Sequence, residues 1–213
     1  MRKITEIYNE YKIMDNLQLH QLRVAAVAMQ FCDSLKIEID KRSVIAACLI
    51  HDMGNIIKFK LGYFPEFLEP EGLEYWQNVQ KEYIEKYGKD EHHANLVIAK
   101  ELGVSDKIIK YINGVGFHFW CDTKDGNSLE EKICTYADTR ISPHSVVTIK
   151  ERLADGLKRY SDLEIDLDPE RAKLRNCILD IEDEIFIHSK NKPEDITEDS
   201  ISVYIEQLKE FLI

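Results

Sequence analysis

Residues 48–60 read CLIHDMGNIIKFK, the end of an apolar run that stops abruptly at a histidine and an aspartate. From Val44 to Ile50 every side chain is apolar, so the chain is entering a core when it takes up His51 and Asp52. An ionised carboxylate in a core is costly unless it is paired or bound to a metal. Both residues therefore require partners elsewhere in the sequence.

The surrounding pattern is helical nearly throughout. Leu17, His20, Val24, Val27 and Phe31 share one face at helical spacing. A second helix is predicted from a cap at Asp40 to Asp52, with Gly54 marking its end. The Phe64-Pro65 and Glu69-Pro70 pairs break the chain before a polar, aromatic-rich helix over about 71–87. Further helices are predicted over 91–102 and from a Ser105 or Asp106 cap to Asn113. Residues 121–127 read as a loop. SLEE (128–131) reads as a capping box opening a helix to about Ile141. The remaining helices are expected over 145–160, from an Asp168 cap with Pro169 at the first helical position to about His188, and from about Glu194 onward. No segment alternates as a strand would. The fold class is all-α, about ten helices in one domain, with 1–160 as the main body (core 16–160) and 161–213 as C-terminal helices packed on it.

Bulk properties narrow the function. The 213 residues suffice for one sizeable core. The seven-residue apolar run falls far short of the ~18 residues of a membrane span, and the amphipathic N-terminus lacks the apolar stretch of a signal peptide, so a cytoplasmic protein without a membrane partner is expected. A net charge of −11 disfavours a nucleic-acid polymer, whose phosphates need a lysine and arginine footprint. A small phosphorylated ligand is compatible with it. The oligomeric state is not written in the pattern. Five cysteines without a close pair argue against a disulfide framework or a thiolate zinc site, and Cys32, Cys48, Cys134 and Cys177 fall in apolar helical patterns that suit core packing.

The partners of His51 and Asp52 come from two other inward-facing stripes. His20 sits in the middle of the first one, and Asp138, in KICTYADTR, shares a face with Cys134 and Ile141. A single histidine on an apolar face is readily a core residue bonded to a carbonyl, and a single aspartate can pair with an arginine. Three stripes each carrying a metal-ligand residue where an apolar one would fit make a common purpose the better account. Imidazole nitrogens with carboxylate oxygens suit zinc, iron, manganese, cobalt or nickel.

The ordered set His20, then His51-Asp52, then Asp138 resembles the H…HD…D signature of the HD-domain metal-dependent phosphohydrolases. HDMGN is similar to the HDIG form of that motif, and YADTR to the helix bearing its last aspartate. The resemblance covers roughly residues 16–160. It implies an all-helical fold with His20, His51, Asp52 and Asp138 around one divalent metal ion, drawn from manganese, iron, magnesium, cobalt, nickel or zinc. It also implies, for two-metal members, a second ion held by Asp52 with His118 and one of His92 and His93. Neighbouring histidines on a helix point about 100° apart, and His92 is the better match. The sequence departs from the pattern at Asn55, where several one-metal members place a glutamate that activates water.

The activity implied is hydrolysis of a phosphoester or phosphoanhydride in a nucleotide or similar small metabolite, with His51 and Asp52 central to catalysis. Lys58, Lys60, Arg140, Arg152 and Arg23 are candidates for holding phosphate, against the alternative of a solvated charged face. The aromatic segment 63–87 offers either a lid that stacks on a base or packing against the core. Two other readings stay open: a di-iron oxygenase on the same ligand set, and a metal-stabilised regulatory module without turnover, which Asn55 favours.

Overall fold

The computed structural model describes residues 1–159 and 169–213. Among them are eleven α-helices and no strand. They are α1 (Ile4–Glu10), α2 (Asp15–Ser34), α3 (Lys41–Ile50), α4 (Leu73–Tyr87), α5 (Glu91–Glu101), α6 (Asp106–Asn113), α7 (Trp120–Asp125), α8 (Leu129–Thr139), α9 (Ile149–Arg159), α10 (Pro169–Ile187) and α11 (Glu198–Lys209). The expected loop over 161–168, the Asp168 cap and the boundary near residue 160 lie outside the described residues. None of the described helices is long and apolar enough to cross a membrane.

Side-chain caps set most of the helix starts. Asp40 accepts from the Ser43 N–H at 3.1 Å, Asp90 from His93 at 2.9 Å, Ser128 from Glu131 at 3.2 Å and Thr197 from Ser200 at 3.2 Å. Each satisfies one of the N–H groups that a helix leaves unpaired at its start. Helix α4 ends at Gly88, whose φ of +89° is a conformation that side-chain-bearing residues avoid.

Helices α2, α3 and α8 pack on one another and form the centre. Their contact is lined by Val24, Ala25, Ala28, Val44, Ala47, Ile133 and Ala137, all essentially buried. The small residues let the backbones approach closely, which is what allows side chains from three helices to meet at one point. Helix α11 covers another side of α2, and α10 packs on α7 and α8. Phe186 of α10 meets Phe31 and Tyr136 at ring distances of 5.0 and 5.5 Å. The C-terminal helices therefore share this core and bury Ile178, Ile181, Ile185 and Ile201 in it.

Several expectations need correction. Residues 120–125 are a short helix rather than part of a loop, because Trp120 buries its ring and Thr123 donates to the Gly114 carbonyl at 3.2 Å. That helix brings Cys121 against α10, where it forms a disulfide with Cys177. A sequence separation of 56 hid the pair from any reading of local spacing. Helix α9 starts only at Ile149, since Ile141 pairs with Val146 and folds the preceding segment back on itself. The last helix begins at Glu198: residues 193–195 make a 3-10 turn, and Ile196 is extended and buried before the Thr197 cap.

The turn after α3 is held by a close approach. Gly54 lies against α5, where its N–H donates to Asn95 Oδ1 at 2.5 Å. A Cβ at Gly54 would sit 2.6 Å from the Ala94 Cβ and 3.0 Å from Asn95 Oδ1. Gly54→Ala should therefore destabilise the protein by about 1–3 kcal/mol, the usual cost of overpacking. A denaturant titration would read this as a lower midpoint at unchanged slope. An unchanged midpoint would show that α5 does not press on this turn.

Candidate metal centre

Four ligand atoms converge where α2, α3 and α8 meet. One each from His20, His51, Asp52 and Asp138 lies within 4.8 Å of all the others. His20 Nε2 is 3.2 Å from Asp138 Oδ1 and 3.5 Å from Asp52 Oδ2. His51 Nε2 is 3.3 Å from Asp138 Oδ1 and 3.6 Å from Asp52 Oδ2. Two imidazole nitrogens thus face the same two carboxylate oxygens.

Local structure fixes each donor. His51 ends α3, and its Nδ1 donates to the Cys48 carbonyl at 2.8 Å. A carbonyl only accepts, so Nδ1 carries hydrogen and Nε2 is turned into the cluster. Such a contact behind a histidine is the usual support for a metal ligand. The Asp52 N–H donates to Gln21 Oε1 at 3.3 Å, which joins the HD turn to the residue beside His20. His20 Nε2 is itself buried and makes no hydrogen bond of ordinary geometry, although two carboxylates stand close by. A lone pair aimed at a shared point between donors has this arrangement. The residues present fit a divalent ion with nitrogen and oxygen ligands.

Without an ion the four groups must neutralise one another. Burial would push His51 down, but Asp52 and Asp138 outweigh it and hold the imidazole up at about 10. Burial likewise works against His20, and the same two carboxylates raise it. For Asp52, burial is overcome by His51, His20 and Lys58, which bring it down to about 2. Asp138 is held well below the usual carboxylate range, because its contacts with His20 and His51 exceed the cost of burial.

The other candidates separate. Lys58, in the 3-10 turn after the HD pair, is exposed, and its charge acts on Asp52 although its amine also lies 3.4 Å from Glu91. Arg140 is enclosed within the fold: it is 2% exposed and donates to the carbonyls of Val147, Pro193 and Ile196 and to the Tyr136 hydroxyl. Arg23 is committed to Glu198 of α11 at 2.6 Å. Arg152 faces Asp155, and Lys60 is exposed.

His92 and His118 stand outside the four-ligand cluster. His92 is the inward member of its pair: its ring lies 4.8 Å from that of Phe119, and Nε2 is 3.3 Å from Asn113 Oδ1. His93 and His118 are exposed. The 3-10 turn at residues 117–119 places Phe119, rather than His118, on the His92 ring.

Two supporting residues escaped the sequence reading. Gln21 is fully buried, as is Asn95, which donates to Asn55 Oδ1 at 3.4 Å while receiving Gly54. Each occupies a core-facing position, Gln21 in line with Val24, Ala25 and Ala28, and Asn95 with Ile98 and Ala99. A polar residue in an apolar stripe was the signal, the same one that exposed His20.

The molecule is thus an all-helical protein with a partly exposed histidine–carboxylate centre. The HD-domain family model matches residues 18–139, and the chain belongs to that family, the superfamily of metal-dependent phosphohydrolases. No curated protein and no solved structure gives a match.

The charge balance makes a pH prediction. His51 is raised from 6.5 to about 10 in the folded metal-free protein. Its contribution to stability is therefore complete below pH 6.5 and lost as pH rises through about 10. A bound divalent ion takes over the neutralising role and requires the imidazoles deprotonated. The melting temperature in chelator should fall between pH 6.5 and 10, and the increase produced by metal should widen over the same range. An increase equal at pH 6 and pH 9 would contradict the arrangement.

Proposed function

We propose that the protein is a metal-dependent phosphohydrolase that cleaves the phosphoester or phosphoanhydride of a nucleotide or similar small phosphorylated metabolite. One observation supports it above the others: three of the four side chains that carry the converging ligand atoms keep part of their surface open to solvent. His20, Asp52 and Asp138 keep 21, 20 and 27% of their side-chain surface accessible, whereas His51 keeps 1%. A structural site closes around its ion, and a catalytic one leaves a face open.

A divalent ion held by these residues supplies Lewis acidity toward a phosphoryl oxygen and a water that ionises near neutral pH. The chain's own groups do the rest. Cys48 and Gln21 hold His51 and Asp52 in their orientations. Lys58, exposed beside the cluster, provides positive charge for a phosphate oxygen. Asn55 supplies no base, since it is buried and bonded to Asn95. The carboxylate oxygens not engaged by the imidazoles, Asp52 Oδ1 and Asp138 Oδ2, would be available to accept a proton from the attacking water.

The four donors support one ion. The two-ion and di-iron readings also need His92 and His118, which are not members of that four-atom group.

A phosphate-release screen over nucleotides and simple phosphoesters, with manganese, iron, magnesium, cobalt, nickel or zinc added, tests the proposal. Turnover should depend on the metal, and Asp52→Ala should lose both metal and activity. The pH–rate profile should shift when one metal replaces another. Asn55→Glu should lower stability without raising the rate, because the side chain points into the contact with Asn95. Full occupancy by metal with no ester hydrolysed would replace this reading with a regulatory module.

A further inference from the structure

A cavity of about 470 Å³ opens between the segment that follows the HD pair and the segment that follows Asp138. Its size is within the range of small-ligand sites. Tyr63 and Phe64 form one wall; Ser142, His144, Glu151 and Asp155 are on the other. The walls are joined by rings, with His144 lying 5.7 Å from Phe64 and 5.5 Å from Phe67. Tyr63 stands edge-on to Phe64 at 4.8 Å, and 60% of it is exposed.

The cavity is close to the metal centre along the chain. Val147, which also lines it, donates its N–H to the Arg140 carbonyl at 2.8 Å, and Arg140 is two residues beyond Asp138. Two steps of backbone and one cross-chain hydrogen bond place these Cα atoms within about 13 Å of each other. A ligand reaching from the centre to the Val147 side of the cavity would span no more than about that distance.

The lining selects the organic part. It contains aromatic faces and two carboxylates but no lysine or arginine. A second phosphate would meet Glu151 and Asp155 there, and the nearby Arg152 is already paired with Asp155. Glu151 is fixed in place, since its Oε2 accepts from both the N–H and the hydroxyl of Thr148, at 2.8 and 2.9 Å. Carboxylates held beside an exposed aromatic ring suit a flat base that stacks and donates amino hydrogens. At the phosphate end, Arg140 and Arg23 are spent within the fold, and Lys58 is the lysine whose charge bears on Asp52. So little positive charge matches one phosphate rather than a chain of them.

We propose that this cavity is a base-binding subsite for the amino-bearing nucleobase of a nucleoside monophosphate whose phosphate lies at the metal centre. The proposal rests on the phosphohydrolase reading for the phosphate end only. Stacking on Tyr63 provides affinity, and Glu151 provides the preference for amino over oxo bases.

Nucleosides carry no phosphoester for a phosphohydrolase to cleave, so their binding separates the two ideas. Calorimetric titration of the metal-loaded protein should show adenosine and cytidine binding about tenfold more tightly than inosine and uridine, the value of a charged hydrogen bond. Tyr63→Ala should weaken adenosine about tenfold, as loss of a stacking platform does, and leave inorganic phosphate binding unchanged. Glu151→Gln, which keeps an oxygen for Thr148, should reduce the preference for amino bases. Binding with this pattern, but no nucleotide hydrolysed, would support the subsite and reject the phosphohydrolase. No nucleoside binding, affinities indifferent to both substitutions, or capture of a quaternary ammonium such as choline instead would overturn the subsite.

Discussion

The structure depends on a single electrostatic constraint: two imidazoles and two carboxylates brought together inside the contact of α2, α3 and α8. Neither carboxylate could stay ionised there without a partner. Together they balance, with the carboxylates lowered and the imidazoles raised. The apolar packing around them exists in a form that makes this meeting possible. Ala25, Ala28 and Ala47 keep the helices close, and the Cys48 carbonyl and Gln21 amide fix the two residues of the HD turn.

A second polar device secures the far end of α8. Arg140, two residues after Asp138, is enclosed and donates to three carbonyls, two of them on the segment that leads into α11. Glu198 at the start of α11 answers Arg23 of α2 and also accepts the Val146 N–H at 2.9 Å. Lys132 of α8 reaches Glu184 of α10 at 2.6 Å. The C-terminal helices thus hold the helices that carry the metal ligands. Arginines that read as phosphate-binding residues serve this purpose, which leaves Lys58 as the exposed cation acting on Asp52.

The main helices and the inner ligand set were legible because both depend on local pattern. His20 interrupts an apolar stripe at helical spacing, His51-Asp52 terminates one, and Asp138 shares the face of Cys134. Caps at Asp40, Ser105, Ser128 and the 91–102 helix were visible for the same reason. What could not be read depends on contacts between distant parts of the chain. Cys121 and Cys177 are 56 residues apart. The burial of Arg140 needs carbonyls at Pro193 and Ile196. The aromatic segment divides in a way its composition does not announce: Trp76, Tyr83 and Tyr87 enter the core, while Tyr63 stays exposed at the cavity. Asn55 illustrates both sides, since its inability to act as a base was evident in the sequence, but its engagement with Asn95 was not.

X-ray absorption of the metal-loaded protein tests the central claim most directly, because it counts the atoms around the ion without reference to activity. The account predicts a first shell of nitrogen and oxygen only, with the outer-shell scattering of two imidazoles, and loss of one imidazole in His20→Ala. Cys48 and Cys134 are buried in the same helices, so a sulfur in the first shell, or a site indifferent to His20, would contradict it.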